Sequence, residues 1–528
     1  MRNSDNLYLK LYFLLISVAF FYMANFILLS DIRQLISTTP DDASYYLKIA
    51  ENYAEGLGFT FDGINKTNGF QPLWQISLIP VFIFFETSPE TTLRIVLFIQ
   101  LILMSCSALI FFRVLILYYD NIIILLSGVF FIVFVFFQSV NGMETPLMIF
   151  IISILFYTAI KRKIFSQRNV KNELIWGVIY GLLILSRLDT VFFALSIIVL
   201  NLFFIIFISK NKKKDVLRIL IIMTAAGLTV SPYLIYNYIT FGNFIPISGY
   251  LKSGLNEDFF GDRLREIFRY RETYFAVAAV IYFNWFLFNF RRMRQNTKYF
   301  FFASLAVFSL GIIFSFTYLL FFLNWLIFYW YFIPYSLFIS LVICIPAEYI
   351  LSFNKIIPGK IFIIVITFLV AFYWGHKIYI EYKSAYETSS NNWTVESYSA
   401  AQWTKANTEK SDVMAMKDAG HFGFFSERNV INLDGLVNNF EYQEILKSNK
   451  LNEYLRNSNV KYLVQHAIWD RDDIVMGKYD TLSLNYSSHK YSVHSDPVIV
   501  NMENEVYRSA PYFDGKHKAV FIIWKLNP

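Results

Sequence analysis

Residues 9–30 read LKLYFLLISVAFFYMANFILLS, and shortly after them the chain runs Asp41-Asp42-Ala43-Ser44-Tyr45-Tyr46. A helix that crosses a bilayer needs roughly 20 mostly apolar residues, and the run at 9–30 meets that length. Two adjacent carboxylates at the mouth of such a span are costly unless they face water or a partner, so they mark a functional site. Aspartate is also a favoured helix N-cap, and the doublet equally fits the start of the next helix.

The same pattern recurs along the chain. Of 528 residues, 56% are hydrophobic, 20% aromatic and only 16% charged, against roughly a quarter charged in soluble domains. Apolar runs recur over the first three quarters, which predicts an all-α polytopic membrane domain at 1–378. The net charge of +7 does not argue for nucleic acid, because the basic residues sit in short clusters between apolar runs. Those clusters are Lys161, Arg162, Lys163, Arg168 and Lys171; Lys210, Lys212, Lys213 and Lys214; Arg291, Arg292, Arg294 and Lys298; and Lys355 with Lys360. The positive-inside rule puts them all in the cytoplasm. Cys106 and Cys344 both lie in apolar segments, too few for a disulfide framework or a thiolate metal site. The first apolar run follows Arg2 and Lys10 without a cleavage signal and reads as a retained first helix.

Counting runs between basic clusters gives about eleven spans, at 9–30, 93–117, 122–137, 146–160, 174–185, 191–208, 216–236, 274–290, 299–316, 332–350 and 361–374. The N-terminus then lies inside and the C-terminus outside. The run at 73–85 is too short to span and reads as interfacial or re-entrant, within a first outer loop at 31–92. A second outer loop covers 237–272. In this arrangement Asp41, Asp42, Glu144, Arg187, Asp189, Lys252 and the aromatic belt at 329–331 all emerge on one face. The lipid bilayer is the first partner implied. After 378 the composition turns polar, and 379–528 reads as a small extracytoplasmic α/β domain. Strands are expected at 413–416, 430–433, 462–464 and 520–524, with a helix at 442–455. Asn392-Trp393-Thr394 fits a glycosylation acceptor triplet, a pattern common by chance.

The outer-face residues form a chemical set. Asp41, Asp42, Glu144 and Asp189 are carboxylates, one of which can take a proton from an acceptor hydroxyl. Arg187 and Lys252 can hold a phosphate, the guanidinium through paired hydrogen bonds and the ammonium as a point charge. Tyr45, Tyr250, Tyr329, Trp330 and Tyr331 can flank a sugar ring. Structural readings stand beside these: Glu144 in a first helical turn, Arg187 with Asp189 as an ion pair, Lys252 as a loop lysine, the belt as a membrane anchor. The six histidines show no zinc spacing, and His376 and His466 read as solvated or packing residues. A magnesium or calcium site on Asp41 and Asp42 stays open, since hard cations take carboxylate oxygens.

These motifs, in this order, resemble the GT-C glycosyltransferase superfamily, and within it the bacterial group around the mycobacterial terminal arabinofuranosyltransferases. The likeness rests on Asp41-Asp42-Ala43, Gly56-Leu57-Gly58 and Asn68-Gly69-Phe70-Gln71-Pro72-Leu73-Trp74. It continues through Asn141-Gly142-Met143-Glu144-Thr145, Ser186-Arg187-Leu188-Asp189 (Leu188 standing where that group has proline) and Pro246 to Ser253. In the outer domain it includes Asp418-Ala419-Gly420-His421 and Asn432-Leu433-Asp434-Gly435-Leu436. The resemblance implies a polyprenyl-phosphate sugar donor, a glycan, lipid or protein acceptor, and inverting transfer on the outer face of a bacterial plasma membrane. It further implies Asp41 or Asp42 as base or metal ligand, with Glu144 assisting. It implies phosphate contacts from Arg187 and Lys252. The preferred reading adds Asp189, Tyr250, Tyr329, Trp330 and Tyr331 as donor contacts and an acceptor groove at Asn68, Asp418, His421 and Asp434. A divalent cation is used by some members and not by others. The competing classes are a lipid-linked saccharide flippase, which should carry matched broken helices at the midplane, and a non-catalytic subunit of cell-envelope assembly.

Overall fold

The computed structural model describes residues 3–161, 169–207, 209, 211–254, 260–293, 295–352, 359–387, 392–466, 472–488, 493–514 and 517–526. Arg2, Arg162, Lys163, Arg168, Lys210, Arg294 and Lys355, used above to orient the chain, lie outside them.

Among the described residues, nine helices are long and apolar enough to cross a membrane. They are Leu7–Leu29, Pro89–Leu115, Asn121–Ser139, Leu188–Phe207, Lys212–Phe241, Arg271–Met293, Tyr299–Phe321, Tyr329–Ser352 and Gly359–Lys383. Pro72–Phe84 and Thr145–Lys161 are shorter apolar helices, and Val170–Ser186 is another helix of 17 residues. The outward faces of the long helices are apolar: Phe288 is 88% exposed and Ile239 77%. Such a surface is unfavourable in water at roughly 25 cal/mol per Å² and carries no such cost in lipid. The chain therefore reads as an integral membrane protein.

Local chemistry sets several boundaries. Lys212–Phe241 runs past 237, where a loop was expected, and stops at Gly242 in the left-handed region (φ 69°), whose amide bonds to the Tyr238 carbonyl. The last long helix continues to Glu387, so the change of composition at 378 falls within it. The helix expected over 442–455 is instead two, Phe440–Lys447 and Leu451–Asn457, with Asn449 at φ 55° between them.

The C-terminal region is built on a five-stranded sheet ordered Asn429–Asn432, Val413–Met416, Val460–Gln465, Ile522–Lys525, Glu505–Arg508. The first three strands are parallel and the last two antiparallel to their neighbours. Alternation along the strands divides the sheet into two faces. Met414, Met416, Val430, Val464 and Ile523 belong to the core shared with the helical domain. Ala415, Ile431, Leu463, Ile522 and Trp524 face a separate core with Tyr442, Leu446, Leu451 and Leu455. The domain is thus docked, not tethered. The strand at Glu505–Arg508 and the hairpin of Thr481–Leu484 with Val498–Asn501 were not foreseen.

Candidate functional site

The site is organised by the helix Asp41–Ala54. Pro40, with φ −59° and ψ 145°, holds the N-cap position and has no side-chain cap to offer. Neither aspartate is therefore the cap. Asp41 points to the C-terminal domain, where its two oxygens accept the backbone N–H groups of Gly420 (2.8 Å) and His421 (2.7 Å). The approach is close enough that a Cβ on Gly420 would lie 2.1 Å from the Asp41 carbonyl oxygen. Burial lifts the Asp41 carboxyl well above its ordinary range, opposed by those two amide bonds. His421 is fully buried. Its Nε2 donates to the Thr39 carbonyl (3.0 Å), which leaves Nδ1 to accept the Ser44 hydroxyl (2.8 Å).

Tyr45, one turn on, has a hydroxyl that donates to Asp434 Oδ2 (3.2 Å) and accepts the Ala419 amide (3.0 Å) and Asn432 Nδ2 (3.2 Å). Asp434 also takes the amides of Asp418 and Leu436. Tyr46 donates to Glu144 Oε2 at 3.0 Å. One short helix therefore touches the outer domain with one face and the Glu144 turn with another.

The segment after it staples the other motifs together. Asn68 accepts the Ile247 amide (2.9 Å) and donates to Asn237 (3.2 Å). Gln71 accepts the Leu188 amide (2.8 Å). Trp74 donates to the Gly142 carbonyl (3.2 Å), and Gln75 to that of Tyr46 (3.1 Å). The Glu144, Arg187 and Lys252 turns are thus each held by the first loop or by the helix before it.

Arg187 is 2% exposed. It pairs with Asp189 (3.0 Å) and Glu144 (3.6 Å), donates to the Trp330 carbonyl (2.9 Å), and lies over the Tyr331 ring. Lys252 ends the helix Ile247–Lys252, and its ammonium stands 5.7 Å from the Trp325 ring centroid. Among the described residues no carboxylate lies within ion-pair distance of it. Burial would lower its pKa, but the charges of Tyr331, Asp42, Asp434 and Glu144 raise it overall. Asp42 is half-buried. Burial raises its carboxyl, Lys252 opposes the rise and Asp418 adds to it.

Asp42, Glu144, Arg187, Asp189, Lys252, Trp330 and Tyr331 all line one cavity of about 750 Å³. Leu436 and Val437 of the C-terminal domain line it as well. Its remainder is an apolar groove between Val170–Ser186, Val191–Phe207 and Lys212–Phe241, reaching Asn201 and Ile219. At 1.5 Å per residue, Val191 to Asn201 covers roughly 15 Å and Ile219 to Leu234 roughly 22 Å.

Several expected site residues lie elsewhere. Asp41, Asn68, His421 and Asp434 do not line the cavity; their polar atoms are engaged in the hydrogen bonds just described. Tyr250 turns away and packs on Phe440 of the outer domain. Tyr329 accepts a hydrogen bond from Asn141 (2.7 Å) behind Trp330. Asp418 sits beyond the cavity, with Oδ2 on His466 Nε2 at 2.9 Å. Tyr45, expected to flank a sugar ring, lines the cavity, and Tyr46, Gln71 and Ser253 line it without having been singled out as ligands. For the metal question, Asp41 is occupied by amides. Among the described residues no cluster of three His, Cys, Asp or Glu side chains could hold an ion.

Residues 383–507 match the family model of a domain of unknown function, DUF8728. No curated protein matches the chain.

Proposed function

We propose that the chain is a GT-C-type glycosyltransferase that moves a sugar from a polyprenyl-phosphate donor to an acceptor hydroxyl with inversion. The observation that carries this reading is the cavity itself: one end charged, the rest an apolar groove. That is the shape of a lipid with an anionic sugar-bearing head. The prenyl chain lies between the helices Val170–Ser186, Val191–Phe207 and Lys212–Phe241, not against the aromatic belt. Lys252, which has no carboxylate at ion-pair distance among the described residues, meets the phosphate, and Arg187, already balanced by Asp189 and Glu144, stiffens the wall beside it. Asp42 takes the proton of the acceptor hydroxyl. The hydroxyl oxygen bonds to the anomeric carbon, the bond from that carbon to the phosphate oxygen breaks, and its electron pair leaves on the polyprenyl phosphate.

If Thr145–Lys161 and Val170–Ser186 cross the bilayer along with the nine longer helices, the spans number eleven. The N-terminus then lies in the cytoplasm of a bacterial cell and the C-terminal domain outside the plasma membrane, where the acceptor glycan, lipid or protein is met. A divalent cation would find one carboxylate of the Asp41-Asp42 pair, that of Asp42. The test is transfer from a radiolabelled polyprenyl-phosphate sugar in membranes carrying wild-type or Asp42→Asn protein. Loss of a general base costs about 10²–10⁴-fold; undiminished transfer by Asp42→Asn overturns the assignment.

A further inference from the structure

The three parallel strands of the outer domain end at a point of the sheet that nothing above uses. The chain passes from Val413–Met416 to Asn429–Asn432 on one side and then to Val460–Gln465 on the other. The order therefore reverses between Val413–Met416 and Val460–Gln465. Open α/β sheets bind ligands outside the carboxyl ends of their strands at such a reversal. The residues that follow these two strand ends are Asp418 and His466, and they meet there at 2.9 Å. Trp393 stacks on the imidazole, with ring centroids 5.1 Å apart and planes 28° from parallel.

Two features set this pair apart from a packing contact. Asp418 is held at φ 51°, a region that residues other than glycine seldom enter, while 40% of its side chain stays exposed. Strain of this kind persists where the surroundings enforce it and collects at ligand sites. The other nitrogen of His466, Nδ1, is buried and has no hydrogen-bond partner among the described residues, an arrangement that costs free energy if the residue only packs.

The same loop adjoins the transfer site. Ala419 and Gly420, next to Asp418, bond to Tyr45 and Asp41 on either side of Asp42. The charge of Asp418 reaches Asp42 and raises its carboxyl. Lys252 and Asp42 line the cavity itself, and Asp418 and Asp434 add negative charge beyond it, on the side of the outer domain.

We propose that Asp418 and His466, with Trp393 behind them, form the acceptor subsite and bind an uncharged saccharide. The carboxylate accepts sugar hydroxyls, the imidazole fixes its direction, and the acidic surroundings exclude acceptors that carry phosphate, sulfate or uronic acid. This rests on the transferase reading for the word acceptor, but the binding itself needs no donor.

The experiment uses the full-length protein in nanodiscs on a printed array of neutral, sulfated and uronic-acid oligosaccharides, without donor. The expected result is retention of a subset of neutral glycans. Asp418→Asn and His466→Gln should weaken it at least tenfold, and Lys252→Met should leave it intact. A parallel transfer assay should show a raised acceptor KM in Asp418→Asn with the donor KM unchanged, which also proves that variant folded. Failure of the wild-type protein to hold any neutral glycan overturns the proposal. So does equal retention of anionic glycans, or undiminished binding by both variants. Neutral-glycan binding without any transfer from polyprenyl donors supports the subsite and instead sinks the transferase reading.

Discussion

Asp41 and Asp42 are neighbours in sequence and diverge by about 100° around their helix. One carboxylate is consumed by two amides of the C-terminal domain, and the other faces the cavity with Lys252 and Asp418 acting on it in opposite directions. A base must be ionised to work, and burial raises the Asp42 pKa. Activity is therefore lost on acidification at a higher pH than an ordinary aspartate, near 4, would give. Lys252→Met removes the charge that favours the carboxylate, so the acid limb of kcat/KM should move to higher pH. Asp418→Asn removes a like charge, so the limb should move to lower pH. The pH profile of kcat/KM for the two variants checks both signs, and a shift in the same direction for both removes Asp42 from the role of base. The doublet was visible in the sequence as a place where charge meets membrane. Which of the two acts was not, because that depends on Gly420 and His421, more than 370 residues away in the chain.

At the scale of elements, the helix Asp41–Ala54 and the short helix Gly420–Phe425 form a clasp between the domains. Its parts are the paired amides on Asp41, the Thr39–His421–Ser44 chain and the Tyr45 hub. Asp41→Ala leaves two buried N–H groups without acceptors, and each such group costs about 1–3 kcal/mol. Hydrogen exchange at 419–425 should accelerate by tenfold or more in Asp41→Ala, while the cavity side chains stay in place. Unchanged exchange would mean that the apolar seam alone holds the domain. The spanning helices were legible because the bilayer imposes length and hydropathy on each of them separately. The staples were not. Asn68, Gln71 and Trp74 could be read as a motif, yet their partners Ile247, Leu188 and Gly142 are backbone groups that no local pattern announces. Asn68 was accordingly expected to bind an acceptor, and it proves to position the Lys252 helix. His466 was passed over because a single histidine carries no spacing signal. Only the strand order brings it to Asp418.

For the whole molecule, the decisive property is that a polar chamber lined in part by the C-terminal domain continues into an apolar groove among the helices. Composition predicted both environments but not their junction, which arises because Arg187, Asp42 and Lys252 are carried to the head of the groove by three separate turns. Under the proposed function the two ends have separable tasks, so the groove can be blocked without touching the chemistry. Gly227 lines the groove, and a Cβ placed on it meets nothing within 4 Å. A phenylalanine there enters open space instead of clashing with a neighbouring helix. Gly227→Phe should therefore fold, and replacing a mid-helix glycine by phenylalanine should gain roughly a few tenths of a kcal/mol of helix propensity. The added ring occupies volume that a long prenyl chain needs. The expected result is a rise in KM of about tenfold or more for a long-chain polyprenyl-phosphate sugar. A short-chain analogue, which ends before the obstruction, should keep its wild-type kcat and KM. Equal effects on both donors would place the lipid elsewhere on the helical surface, and no effect on either would separate the groove from donor binding altogether.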